Sequence, residues 1–139
     1  MFLIGNGRLF TRDEKNSFFE NGAVVWTDNT IVEVGDFETL KKKYADAEFI
    51  DGVIHPAFIN THEHIYSALA RGLSIKGYAP NGFLEILDGL WWTIDRNLDN
   101  ELTKISAEAT YLECIKNGVT TIFDHHASFG EISGSLFAI

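Results

Sequence analysis

Five histidines occur in these 139 residues, and two of them, His62 and His64, stand one residue apart at the end of the apolar stretch "VIHPAFINTH". Residues i and i+2 of a strand project from the same face. The two imidazoles therefore point together, with Glu63 on the opposite face. Their Cα atoms lie about 6.5–7 Å apart, close enough for both rings to reach one ion at nitrogen–metal distances of about 2.0–2.1 Å. Taken alone, H-x-H favours a hydrogen-bonded pair at a strand end over a metal site. A second polar group, Asp124, His125 and His126, closes the run "VTTIFDHH". Such side chains can hydrogen-bond a heterocycle, or serve as a polar strand-to-loop turn. Alternation puts Thr120, Ile122, Asp124 and His126 on one face, read as the inner one, and Val119, Thr121 and Phe123 on the other. On that reading His126 meets a substrate more directly than His125.

The elements that carry these residues follow from pattern. Residues 1–55 read as β-rich. A strand is expected over 2–10, a hairpin in "AVVWTDNTIVEVG" turning at Asp28 and Asn29, a short helix 37–44 capped by Asp36, and a strand in "AEFID". Pro56 cannot donate to a ladder, so a junction belongs there, and residues 56–139 form a second part. The apolar run before His62 reads as a strand covered on both faces. Helices are expected over 83–96 and 100–117. The second has an apolar stripe (Leu102, Ile105, Ala109, Leu112, Ile115), a cap at Asp99 or Asn100, and Gly118 at its end. Strand, helical crossover and strand make a βαβ unit with parallel strands. Both polar groups then fall at carboxyl ends, where α/β folds place their chemistry.

Composition narrows the function. A net charge of −9 disfavours phosphate backbones and anionic membranes, so neither nucleic acid nor membrane is an expected partner. Cys114 is the single cysteine, which rules out an intrachain disulfide. The opening "MFLIGNGRLF" lacks a basic n-region, and no run approaches the ~20 apolar residues of a span. A cytoplasmic location is expected. Trp91 and Trp92 do not share a helix face; core packing is expected for them, with one able to border a site mouth. His55 reads as structural, and Glu113 and Cys114 receive no chemical role.

"HPAFINTHEHIYSALARG" resembles the first barrel strand of the amidohydrolase superfamily, with its pattern P-G-[FL]-[IV]-[ND]-x-H-x-H, and "ECIKNGVTTIFDHHAS" resembles its second, G-[VT]-T-T-x-x-D. The wording is similar to the SsnA-like aminohydrolases, beside the chlorohydrolase and guanine deaminase branches. Ala57 departs from the family's glycine. The resemblance implies an α/β fold: the first two strands of a (β/α)8 TIM-like barrel, preceded by a small β-sandwich module. It also implies a divalent metal, zinc with iron as the alternative, held by His62 and His64 together with ligands from later strands. The implied activity is hydrolysis of non-peptide C–N bonds of a small, heterocyclic substrate by a metal-activated water, with Asp124, His125 and His126 at the substrate. The alternatives are a binuclear cyclic amidase of the hydantoinase or dihydroorotase type, and a truncated, inactive chain. No general acid falls within these residues, so the chain by itself is expected to be silent, with exposed strand edges that favour a homo-oligomer.

Overall fold

The computed structural model describes residues 1–139 as two compact units, Met1–Pro56 and Ala57–Ile139. In the first, β1 (Phe2–Phe10), β2 (Phe18–Thr27), β3 (Thr30–Asp36) and β4 (Glu48–Asp51) form one sheet in the order β3-β2-β1-β4. β1 is antiparallel to β2 and parallel to β4. The hairpin turns at Asp28, whose φ of 53° is in the left-handed region that aspartate tolerates. Register explains the core. Leu3 lies opposite Val25 and Gly5 opposite Ala23, and these side chains bury against Phe37 and Leu40 of α1 (Phe37–Lys43). On the other face Val34, Val24, Ile4 and Ile50 form a continuous apolar row, with Val34 and Ile50 exposed. Met1–Pro56 thus forms a single sheet covered on one face by one helix.

In the second unit, β5 (Phe58–Glu63) pairs in parallel with β6 (Val119–Asp124). The crossover between them contains a 3-10 turn (Ile65–Ala70), then α2 (Phe83–Ile86), a π-helical segment (Leu87–Trp91), α3 (Trp92–Asn97) and α4 (Asn100–Lys116). α5 (Ser135–Ala138) follows β6. The expected helix 83–96 is thus interrupted by a wide turn. Gly89 sits in that turn against the Tyr78 ring, where a Cβ would lie 2.5 Å from the ring. Asp99 caps α4, accepting from the Leu102 amide at 2.7 Å. Gly118 ends it at a φ of +70°, the left-handed conformation of a C′ glycine.

Apolar side chains of α4 and of β5 stay exposed within these residues. The α4 stripe is not the packed face: Leu102, Ile105, Leu112 and Ile115 are exposed, and Thr103, Ser106, Ala107 and Thr110 are buried. Small side chains let α4 close on the 3-10 turn, where the Ser106 hydroxyl donates to the Ile65 carbonyl at 2.7 Å and receives the Leu69 amide at 3.4 Å. On β5, Phe58 and Ile59 are likewise exposed.

The capping of α1 sets a pH dependence. Hydrogen bonds from the Thr39 amide and hydroxyl (3.0 and 2.9 Å) hold the Asp36 carboxyl below its usual range. A depressed folded-state pKa stabilises above the unfolded pKa and loses that contribution as pH falls through the folded one. Asp36→Ala is expected to destabilise the fold near neutral pH through loss of the cap, and Asp36→Asn less. Urea midpoints should show the difference between wild type and Asp36→Asn shrinking between about pH 5 and pH 2; a constant gap would refute the assignment.

Candidate metal and substrate site

Parallel pairing brings the carboxyl ends of β5 and β6 to the same edge. Glu63 lies opposite Asp124, and the His125 amide donates to the Glu63 carbonyl at 2.8 Å. The His62 and His64 rings meet edge to face with centroids 5.0 Å apart. His125 joins them, 4.3 Å from His62 and 5.8 Å from His64. His64 Nδ1 lies 2.9 Å from the His125 carbonyl oxygen. A carbonyl can only accept, so the proton is assigned to Nδ1, which leaves the Nε2 lone pair of the neutral ring free for a ligand. Metal-bound histidines are typically anchored this way.

Glu63 is occupied on the side away from the rings. Its carboxylate receives the Asn60 amide group at 2.7 Å and the His64 backbone amide at 3.1 Å. Asn60 in turn accepts from the His62 amide at 3.2 Å. Trp91, the last residue of the π-helical segment, lies 6.2 Å from His64 between centroids and gives the pair an aromatic wall.

A second, buried polar group lies behind His64. Tyr66 is 4% exposed, with its ring edge-on to His64 at 5.9 Å and to His126 at 5.6 Å. Asp95, itself 4% exposed, acts on that phenol by its charge, and its Oδ1 is buried without a hydrogen-bond partner. Burial, then the charge of Asp95, pushes the Tyr66 phenol up to about 12, and burial also raises the Asp95 carboxyl. Sequence reading missed both residues. Tyr66 and Asp95 look like ordinary members of helical stretches, and no local spacing marks that they meet.

The facing of β6 is also corrected. Thr120, Ile122 and Asp124 line a concavity with Tyr111 and Ile115 of α4, so this set faces the helix and not the histidine pair. His126 turns toward Tyr66 and Asp124, with Nδ1 3.5 Å from Asp124 Oδ2 and a side chain only 12% exposed. Of the three residues expected at a substrate, only His125 lies beside His62 and His64. Alternation itself holds through His126, which shares Asp124's side; the side read as inner is the one that faces α4.

The donor chemistry fits a borderline-soft divalent ion: neutral imidazoles, one with its Nε2 left free. No three His, Cys, Asp or Glu side chains in this chain are arranged to enclose one ion. A catalytic zinc centre takes three protein ligands, so further donors must come from other polypeptide.

No family model matches the sequence. The chain is 33% identical over 119 residues to the 5-methylthioadenosine/S-adenosylhomocysteine deaminase of Bacillus cytotoxicus, a match covering 84% of this chain and 26% of that protein. It spans about a quarter of the length of the curated relatives it matches. Among solved structures, a variant of atrazine chlorohydrolase from Arthrobacter aurescens TC1, complexed with zinc and atraton, superposes with a TM-score of 0.75 at 25% identity. That match covers 99% of this chain and 32% of the chlorohydrolase. The aminofutalosine deaminase of Helicobacter pylori, in complex with methylthio-coformycin, gives a TM-score of 0.66 at 26% identity, over 99% of this chain and 31% of the deaminase.

The facing of the second-strand histidines has a direct chemical readout. Under limiting diethyl pyrocarbonate, His125, which is exposed, should be modified several-fold faster than His126, followed by fragment mass spectrometry. Equal rates, or a faster His126, would reverse the assignment.

Proposed function

The chain belongs to the amidohydrolase superfamily, and we propose that it supplies two metal ligands of an aminohydrolase that releases ammonia from an amino-substituted nitrogen heterocycle. The observation that carries this reading is the convergence of His62 and His64 at the carboxyl end of β5, with His64 anchored through Nδ1. His62 and His64 would hold a divalent ion, zinc by preference, as the zinc in the related chlorohydrolase structure supports. The bound ion supplies Lewis-acid polarisation and an activated water at neutral pH.

This chain's own residues have defined tasks in the reaction R–NH2 + H2O → R–OH + NH3. His62 and His64 hold the ion, and the His125 carbonyl fixes the tautomer of His64. His125 and Trp91 flank the pair and are placed to contact a flat heterocycle. Glu63 and Asp124 are committed to hydrogen bonds with Asn60 and the backbone of His64 and Ile65. Neither is free to move a proton at the substrate, so the proton shuttle lies in other polypeptide. The architecture we infer is that of the relatives: β5 and β6 as adjacent strands of a (β/α)8 barrel, with β1–β4 as part of a β-sandwich. The deaminases among the relatives support a purine-like amino-heterocycle as substrate class.

The test is elemental analysis of the purified intact protein and of its His62→Ala and His64→Ala variants, with ammonia release measured on amino-purines and amino-triazines. Each variant should lose bound metal and at least about 100-fold in activity, since even outer-shell changes cost about 10–100-fold. Folded variants that keep their full metal content would overturn the reading.

A further inference from the structure

We propose that Asp124 is a positioning residue for His64, acting through the Ile65 peptide, and not a substrate contact; the inference rests on the metal-ligand reading of His64. Asp124 Oδ1 accepts from the Ile65 amide at 2.8 Å. Ile65 directly follows His64 and opens the 3-10 turn, whose first residues have no side-chain cap of their own. The carboxylate of a neighbouring strand supplies that missing acceptor. The next residue along β6's exit, His125, receives the Nδ1 proton of His64 on its carbonyl. Two consecutive residues at the end of β6 thus grip two consecutive residues at the end of β5, one by backbone and one by ring.

The peptide that Asp124 grips is fixed from its other side as well. Ile65 is 3% exposed, and its carbonyl accepts the Ser106 hydroxyl of α4 at 2.7 Å. With the amide held by β6 and the carbonyl by α4, the backbone beyond His64 has little freedom to turn. The His64 ring is then aimed at the point where it meets His62. Ligation by a ring held in place loses less side-chain entropy than ligation by a free one. The carboxylate itself is ill placed for substrate. Its side chain is 13% exposed and shares the concavity lined by Tyr111 and Ile115, on the far side of the strand from the three rings. Its second oxygen faces His126 Nδ1 at 3.5 Å.

The geometry makes the acceptor, and not the negative charge, the working part. Asparagine is isosteric and keeps an oxygen where Oδ1 stands; alanine removes it, and serine is too short to reach the amide. Three variants of the intact protein, Asp124→Asn, Asp124→Ser and Asp124→Ala, are stripped of metal, and zinc affinity is measured by competition with a chromogenic chelator. Amide hydrogen exchange of the peptide containing Ile65 is followed alongside. Asp124→Asn should hold zinc within a few-fold of wild type and keep the Ile65 amide protected. Asp124→Ser and Asp124→Ala should bind zinc about 10–100-fold more weakly, lose protection at Ile65, and recover turnover with unchanged KM at saturating zinc. If alanine does not fold, the contrast between asparagine and serine decides. Asparagine as weak as serine, or a raised KM at saturating zinc with unaltered zinc affinity, overturns the proposal; the latter result would make Asp124 a substrate contact. A wild-type protein that binds no zinc at the histidine pair sinks the metal reading and this inference with it. Tight wild-type binding with all three variants unaffected sinks the inference alone.

Discussion

The hydrogen bond from His64 Nδ1 to the His125 carbonyl joins the ends of two strands that are 61 residues apart in sequence. It can form only because β5 and β6 run parallel. Antiparallel strands would place one carboxyl end against the other strand's start, and His125 would lie nowhere near His64. Parallel strands in turn demand a long crossover, which explains why some 50 residues of turn and helix separate the two polar groups. The crossover is more than a connector. Its first turn carries Tyr66 beneath His64, its π-helical segment delivers Trp91 beside the ring, and α4 reaches back through Ser106 to hold Ile65.

The packing of α4 shows how hydrogen bonding selects which helix face goes inward. An apolar stripe should prevail over a polar one, since each large apolar side chain gains about 1.5–3 kcal/mol on full burial. Yet Thr103, Ser106, Ala107 and Thr110 are buried while Ile115 is 73% exposed. The Ile65 carbonyl of the 3-10 turn lies against α4 and accepts the Ser106 hydroxyl at 2.7 Å. Small neighbours permit the close approach that this needs. The stripe is left on the other side of the helix, as are Phe58 on β5 and Phe123 on β6, both more than half exposed. Large apolar surfaces of this kind mark places where further polypeptide packs.

Much of the framework was legible in the sequence because its signals are local. The hairpin turn at Asp28, the caps at Asp36 and Asp99, and the glycine that ends α4 each depend on residues within a few positions. The shared face of His62 and His64 follows from strand period alone. What could not be read depends on partners distant in sequence. Thr103 and Ser106 become the buried face only because the turn after His64 lies against them, and the meeting of Tyr66 with Asp95 spans 29 positions with no periodic trace. The inward set on β6 was misjudged for a related reason. Alternation groups Asp124 with His126 and opposes His125 to them, but period alone does not say which of the two sets faces the helix.

The two layers around His64 divide their work by polarity. On the open side stand groups with a free lone pair or a flat ring: His62, His64, His125 and Trp91. Two carboxylates beside them are taken up by backbone amides, Glu63 by that of His64 and Asp124 by that of Ile65. Tyr66, with its phenol held up to about 12, remains a hydrogen-bond donor at any ordinary pH. On the proposed reading a cation would meet the nitrogen donors of His62 and His64, while Glu63 and Asp124 are occupied by hydrogen bonds. If the histidine pair holds an ion as proposed, donor type would set its metal preference and the stiffness of the support its affinity. Changes to the support should then weaken binding while leaving the choice of metal unaltered.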